Sequence, residues 1–196
     1  MGYYTKFELH AYGAESKSSI SEDREEEIAQ KIIHASLKAP VRIWCDFANN
    51  DGEMCAVELS KDLKKPVGEP KVLFKASEPL WAKGKFSIKE NPKCVTDGPF
   101  MYRTSDGKLL MLWSSHRTTN CYCVAVSYSD NGTLSGNWKH CEEVLVDLNG
   151  GHGMLFNDLD GKLNYTYHFP NFPSGSERAI IKSVKEIEKS PFLKLV

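Results

Sequence analysis

Few residues in this 196-residue chain have types and spacings that could do chemistry. Asp97 stands in Val95-Thr-Asp-Gly-Pro-Phe100, His152 in Gly150-Gly-His-Gly153, His116 beside Arg117, and Cys121 two residues before Cys123. A carboxyl ahead of Gly-Pro is ordinary turn chemistry and also a group able to hand on a proton. A histidine among three glycines is either a loop residue or a ring that another group can approach closely. Two thiols on one side of a strand could hold a metal together with His140 and Cys141, although a two-residue spacing is a weak metal signature. The chain has no Gly-rich phosphate loop, no Gly-x-Ser-x-Gly elbow and no His-Glu-x-x-His, so nucleotide, esterase and zincin readings lack support.

These residues need a framework, and the composition supplies one. Hydrophobic residues make up 41%, enough to build a core for one domain or two small ones. Lys plus Arg 25 against Asp plus Glu 26 leave a formal charge of -1, so no basic field exists to hold nucleic acid or anionic lipid. No window is long and apolar enough to span a bilayer, and the first residues, Met-Gly-Tyr-Tyr-Thr-Lys-Phe-Glu, lack a secretory leader, so a soluble, cytoplasmic chain is expected. The six cysteines are scattered without a disulfide or zinc-ribbon spacing and read as free, buried thiols.

The chain divides near residue 38. Residues 3–12 are rich in strand formers, and Ser19 with Glu22 has the spacing of a capping box. Carboxylates crowd the following turn, and Ile28, Ile32 and Ala35 share one face, which predicts a helix over about 20–36. Residues 1–38 are therefore expected to form a small strand-helix segment, and 39–196 a β domain. From Pro40 onward short alternating runs are separated by Asp-Gly, Asn-Gly and Pro turns.

The β region repeats. Asp97-Gly-Pro-Phe-Met-Tyr-Arg-Thr-Ser-Asp-Gly-Lys-Leu109 aligns without a gap on Gly151-His-Gly-Met-Leu-Phe-Asn-Asp-Leu-Asp-Gly-Lys-Leu163, an offset of 151 − 97 = 54. In both copies a strand, an Asp-Gly hairpin and a second strand follow one another. A partial third copy precedes them, in Val41–Phe47, Met54–Ser60 and Val72–Phe74. Antiparallel units of this size cannot bury their own faces, and the period is that of propeller blades. The expected fold is mainly β: a partial β-propeller of about three four-stranded antiparallel blades with a small N-terminal α/β segment, where closed rings carry about 4–8 blades. Open blade edges of such a piece predict self-association.

At Val95-Thr-Asp-Gly-Pro-Phe100, Leu110-Met-Leu-Trp-Ser-Ser115 and Gly150-Gly-His-Gly-Met-Leu-Phe156 the sequence resembles glycoside hydrolase family 43. The resemblance runs from about residue 40 to about 185. It implies a five-bladed propeller and an inverting glycosidase acting on arabinose- or xylose-containing oligo- and polysaccharides. It places Asp97 at the general acid, where the family usually carries a Glu-Gly-Pro word, and His152 at a histidine facing the central channel. It requires no cofactor, and in some members that histidine belongs to a hydrated calcium site. The family's general base and orienting carboxylate belong to blades that should precede residue 40, where the strand and acidic helix match no blade. Asp46 and Asp51 align with later strands of a blade and take neither role.

Given that resemblance, Trp81, Trp113 and Trp138 offer flat apolar faces on which a sugar ring could stack. Trp113 alternates within a strand and belongs to the core, which leaves Trp81, in the loop Glu78-Pro-Leu-Trp-Ala-Lys83, as the expected exposed platform. His116 and Arg117 are expected to reach sugar hydroxyls from the funnel rim. The competing expectation is a truncated, catalytically inactive remnant or a carbohydrate-binding module.

Overall fold

The computed structural model describes residues 40–46, 50–82, 86–88, 91–117, 119, 121–187 and 192–196. The strand expected over 3–12 and the helix expected over about 20–36 lie outside the described residues. What is described is antiparallel β-structure in three sheets. The first holds β1 (Val41–Asp46), β2 (Glu53–Leu59) and β3 (Pro66–Lys75), followed by a 3-10 turn at Leu80–Ala82. A small hairpin of β4 (Phe86–Ile88) and β5 (Asn91–Lys93) leads to the second sheet: β6 (Asp97–Arg103), β7 (Leu109–His116), β8 (Tyr122–Ser129) and β9 (Trp138–Val146). The third holds β10 (Gly151–Asn157), β11 (Leu163–Phe169), β12 (Arg178–Glu186) and β13 (Leu193–Leu195). Strands run in chain order within each sheet, the meander of propeller blades, so the chain is a partial β-propeller.

The middle sheet is covered on both faces, and the alternation along β7 shows how. Leu109, Met111 and Trp113 pack with Met54, Phe74 and Ala125 toward the first sheet, while Leu110 and Leu112 pack with Leu155, Tyr165 and Val184 toward the third. A strand buried on both faces reads as a continuous apolar run, as Leu109-Leu-Met-Leu-Trp113 does. Between the first two sheets Phe74 is wedged against Trp113 and Trp138, with ring centroids 5.2 and 5.9 Å apart. Aromatic pairs of this kind contribute about 0.5–1.5 kcal/mol each beyond area burial.

Polar clasps join the sheets as well. Glu186 on β12 accepts hydrogen bonds from Tyr102 Oη at 2.6 Å and from the backbone N–H of Ser105 at 3.1 Å, which ties the third sheet to the second. Gly52 N–H donates to the Cys94 carbonyl at 2.8 Å and Thr96 Oγ1 to the Glu53 carbonyl at 3.1 Å, which ties the second to the first. All six cysteines are free, and Cys55, Cys123 and Cys141 are buried.

The 54-residue repeat is a repeat of backbone geometry. In both copies the Asp-Gly hairpin closes with the same hydrogen bonds: Thr104 N–H to Lys108 O and Gly107 N–H to Thr104 O, then Asp158 N–H to Lys162 O and Gly161 N–H to Asp158 O. Both first strands also carry a β-bulge at the same place. Asp97 pairs with Ser114 and Phe100 with Leu112, which leaves two residues opposite one, and Gly151 pairs with His168 and Met154 with Thr166 in the same way. The bulged residues, Gly98 and His152, are again 54 apart and have φ of 53° and 52°. Bulges bend a strand and re-aim its side chains.

Candidate active site

The two bulges face each other where β6 meets β10, and this juxtaposition builds the site. A Cβ at Gly98 would lie 2.9 Å from Cγ of His152, so only glycine lets the imidazole settle there. A Cβ at Gly151 would come within 2.4 Å of the Tyr122 ring, so a second glycine admits that side chain. With both in place, Asp97 is surrounded by donors. Its Oδ2 accepts from Tyr122 Oη at 2.6 Å, and its Oδ1 accepts from the Gly98 N–H at 2.8 Å and lies 3.3 Å from His152 Nδ1. The His152 backbone N–H donates to Ser114 Oγ at 2.9 Å, so β7 braces the bulge of β10.

Burial pushes the Asp97 carboxyl up, but the hydrogen bonds from His152 and Tyr122 and the nearby imidazole outweigh it and hold Asp97 below the ordinary carboxylate value. The same contact raises His152 above the usual histidine value against the opposing effect of its burial. The contact therefore favours a proton on the ring and a negative charge on Asp97. Tyr122 is driven upward, first by burial and then by the Asp97 charge, and stays a neutral donor. The Tyr122 ring stacks on His168, with centroids 5.8 Å apart and planes 12° apart, and meets His116 on its other contact at 5.2 Å.

The expected site residues separate into two groups. Asp97 and His152 are brought together, and the imidazole is more than half exposed, with a side-chain accessibility of 58%. Trp81 is not an exposed platform. It is 6% exposed, because the 3-10 turn folds its ring onto Trp113 at 4.9 Å, and its Nε1 is buried with no hydrogen-bond partner. His116 is not at a rim either, being buried beside Tyr122 at 8% exposure. Arg117 is partly exposed and paired with Asp147. Trp113 is in the core as expected, donating Nε1–H to Ser127 Oγ at 2.8 Å.

Among the described residues, no group of three or more His, Cys, Asp or Glu side chains is placed to hold a metal ion. The thiols of Cys121 and Cys123 are taken up elsewhere: Cys121 accepts from the Asn149 N–H at 3.1 Å, and Cys123 contacts the Ser115 carbonyl. His140 accepts from Ser127 Oγ through Nδ1 at 2.8 Å and faces Glu78 at 3.4 Å. Asp51 caps Ser77 through both N–H and Oγ, a structural task that accounts for its place in a loop.

Tyr122, Ser114 and His168 were not foreseen as site residues. A signal for two of them lay in the repeat, since the 54-residue offset that relates Asp97 to Gly151 also relates Ser114 to His168, the partners of those residues across each hairpin.

The fold has counterparts among solved structures. The crystal structure of an endo-arabinase from Bacteroides thetaiotaomicron is similar at 40% identity and a TM-score of 0.72, covering 76% of this chain and 53% of that one. A thermostable family-43 glycoside hydrolase matches at 20% identity and a TM-score of 0.61, over 80% of this chain and 53% of that one. An endo-1,4-beta-xylanase from Bacteroides thetaiotaomicron matches at 20% identity and 0.65, over 81% and 54%. The chain thus has a family-43 glycoside hydrolase-like fold over about four-fifths of its residues and spans about half the length of these neighbours. No family model and no curated protein sequence matches it. No helix among the described residues is long and apolar enough to cross a membrane.

Proposed function

We propose that the chain is part of a glycoside hydrolase that cleaves arabinose- or xylose-containing oligo- and polysaccharides with inversion, and that Asp97 supplies the proton to the leaving oxygen. One observation carries this reading: two bulged strands place the Asp97 carboxyl and the exposed His152 imidazole against each other at one end of adjacent blades. The likeness to an endo-arabinase at 40% identity supports the substrate class.

Hydrolysis of a glycosidic bond needs an acid for the departing oxygen and, for inversion, a base about 6.5–9.5 Å away that activates water on the opposite face. In the resting site the acid proton belongs to the Asp97–His152 pair and resides on the ring. A sugar oxygen that approaches Asp97 and displaces the imidazole would remove the contact that holds the carboxyl low, so a carboxyl left in its partly buried place would take up a proton more readily. In this reading His152 binds substrate hydroxyls and carries the proton inward, a role that its 58% accessible side chain supports. The base must come from a carboxylate outside the Asp97 contacts described above.

Calcium prefers six to eight oxygen ligands, and this pair offers one carboxylate and an imidazole, which do not make a direct site. A calcium ion beside His152 would be held through water, and no step here runs through it. A second reading, a carbohydrate-binding module or inactive remnant, is favoured by the lowered pKa of Asp97 in the resting site, which favours the ionised carboxylate over the protonated acid that catalysis needs.

The test is release of 4-nitrophenol from the aryl α-L-arabinofuranoside and β-xyloside by the purified protein and by Asp97→Asn. Turnover abolished by the substitution supports the hydrolase. Binding of arabino-oligosaccharide without turnover supports the module, and a folded protein that neither binds nor cleaves overturns the hydrolase and leaves the inactive remnant.

A further inference from the structure

Leu148 and Phe172 are among the most exposed large apolar side chains described, at 72% and 74%, and Phe169 is exposed as well. Leu148 and Phe172 lie on two loops joined by a single residue, and Phe169 ends β11 at the start of the second loop. Asn149 donates from Nδ2 to the Phe172 carbonyl at 2.7 Å and accepts from the Phe172 N–H at its Oδ1 at 3.1 Å, while its own carbonyl accepts from the Asn171 N–H at 2.5 Å. Asn171 Oδ1 in turn accepts from His168 Nε2 at 2.9 Å, and His168 is the ring stacked on Tyr122. The far side of the loop is tied too, with Gly175 N–H donating to Glu177 Oε2 at 2.6 Å.

The loop around Phe172 is therefore held by side chains at both ends, yet Phe172 itself is left 74% exposed. Single exposed apolar residues are common and need no explanation, but a cluster with its backbone fixed is the mark of a binding surface. The contacts run without interruption from Phe172 through Asn171, His168 and Tyr122 to Asp97. The loop that presents Phe172 is thus linked by side-chain contacts to the candidate catalytic pair.

We propose that Phe172, presented by the Asn149 clasp, is a stacking platform for sugar units of a polymer that extends beyond the bond next to Asp97. The proposal rests on the glycoside hydrolase reading above. A sugar ring has an apolar C–H face edged by hydroxyls, and an exposed aromatic side chain on a loop that also carries Asn171, Ser174 and Glu177 suits it. Because the loop is already ordered, stacking does not bear the cost of fixing it, which is where preorganised sites gain affinity. Phe172 is a specificity-determining residue for chain length, remote from the reacting atoms.

The experiment is calorimetric titration of the whole chain with linear arabino-oligosaccharides, from disaccharide to hexasaccharide, using wild type, Phe172→Ala and Phe172→Trp. The expected result is a loss in Phe172→Ala of about three- to tenfold in hexasaccharide affinity and a smaller loss for the disaccharide, with Phe172→Trp binding at least as well as wild type. Equal affinity of Phe172→Ala and wild type for the hexasaccharide overturns the proposal while leaving the Asp97 reading intact. So does a change in sedimentation from dimer to monomer in Phe172→Ala with sugar affinity unchanged, since the ring would then be covered by a second copy. A wild type that binds no arabino-oligosaccharide overturns the functional reading and this proposal together.

Discussion

His152 holds a conformation that its repeat partner reaches with glycine, and comparing His152→Gly with His152→Ala separates what its backbone costs from what its ring contributes. A residue with a Cβ pays about 1–2 kcal/mol to sit at left-handed φ, here 52°. Glycine relieves that, but its freer unfolded chain takes back about 0.5–1 kcal/mol. His152→Gly should therefore be more stable than His152→Ala by about 0.5–1 kcal/mol. Both lose the contact with Asp97 at 3.3 Å. With the imidazole more than half exposed, screening limits that contact to about 0.5–1 kcal/mol.

The two contributions respond differently to pH. The raised pKa of His152 makes its share fully present below the ordinary histidine value and lost as pH rises through the raised one. The lowered pKa of Asp97 makes its share present above the ordinary carboxylate value and lost as pH falls through the lowered one. The pair is thus fully effective between about pH 4 and about pH 6.5. Urea melts followed by tryptophan fluorescence at about pH 5.5 and about pH 8.5 should show the gap between wild type and His152→Ala shrinking at the higher pH. The gap between His152→Gly and His152→Ala should not change, because the backbone does not titrate. An alanine variant as stable as the glycine variant at both pH values would refute the strained-bulge reasoning.

Three further outcomes follow from the core and the clasps. Ser127→Ala strands the buried Nε1–H of Trp113 and uncouples His140 Nδ1, and should cost about 2 kcal/mol in a urea melt. Trp81→Phe removes a buried donor that has no partner and should stay within about 1 kcal/mol of wild type, whereas Trp81→Ala opens a cavity and should cost about 3–5 kcal/mol. Glu186→Ala breaks the tie from β12 to Tyr102 and Ser105 and should cost about 1–2 kcal/mol near neutral pH, measured by thermal melting. Although burial opposes it, the Glu186 carboxyl is held low by hydrogen bonds from Ser105 and Tyr102, so this contribution is present above the ordinary glutamate value and fades as pH falls through the lowered one.

The blades were legible in the sequence because period-two patterning and a 54-residue repeat are long-range signals that survive local variation. The partial third copy expected over Val41–Phe47, Met54–Ser60 and Val72–Phe74 occurs as the strands Val41–Asp46, Glu53–Leu59 and Pro66–Lys75. Trp81 illustrates what such patterning cannot reach. A tryptophan between Pro79 and Lys83 reads as loop, and only the 3-10 turn, which depends on the packing of two sheets, folds its ring onto Trp113. The same limit applies to His116, which ends a strand in sequence but lies behind Tyr122 in space.

The aligned repeat held more than the blade count. Gly98 and His152 align at the bulge, and a histidine standing where its repeat partner is glycine marks a position whose backbone favours glycine. A left-handed β-carbon is tolerated where the side chain gains a contact that offsets it, and the ring gains Asp97. Such a mismatch between aligned repeats needs no knowledge of the fold to be noticed. Three of the thirteen aligned pairs set glycine against another residue, at 97/151, 98/152 and 99/153, and the middle pair holds the histidine whose imidazole meets the candidate acid across the seam between blades.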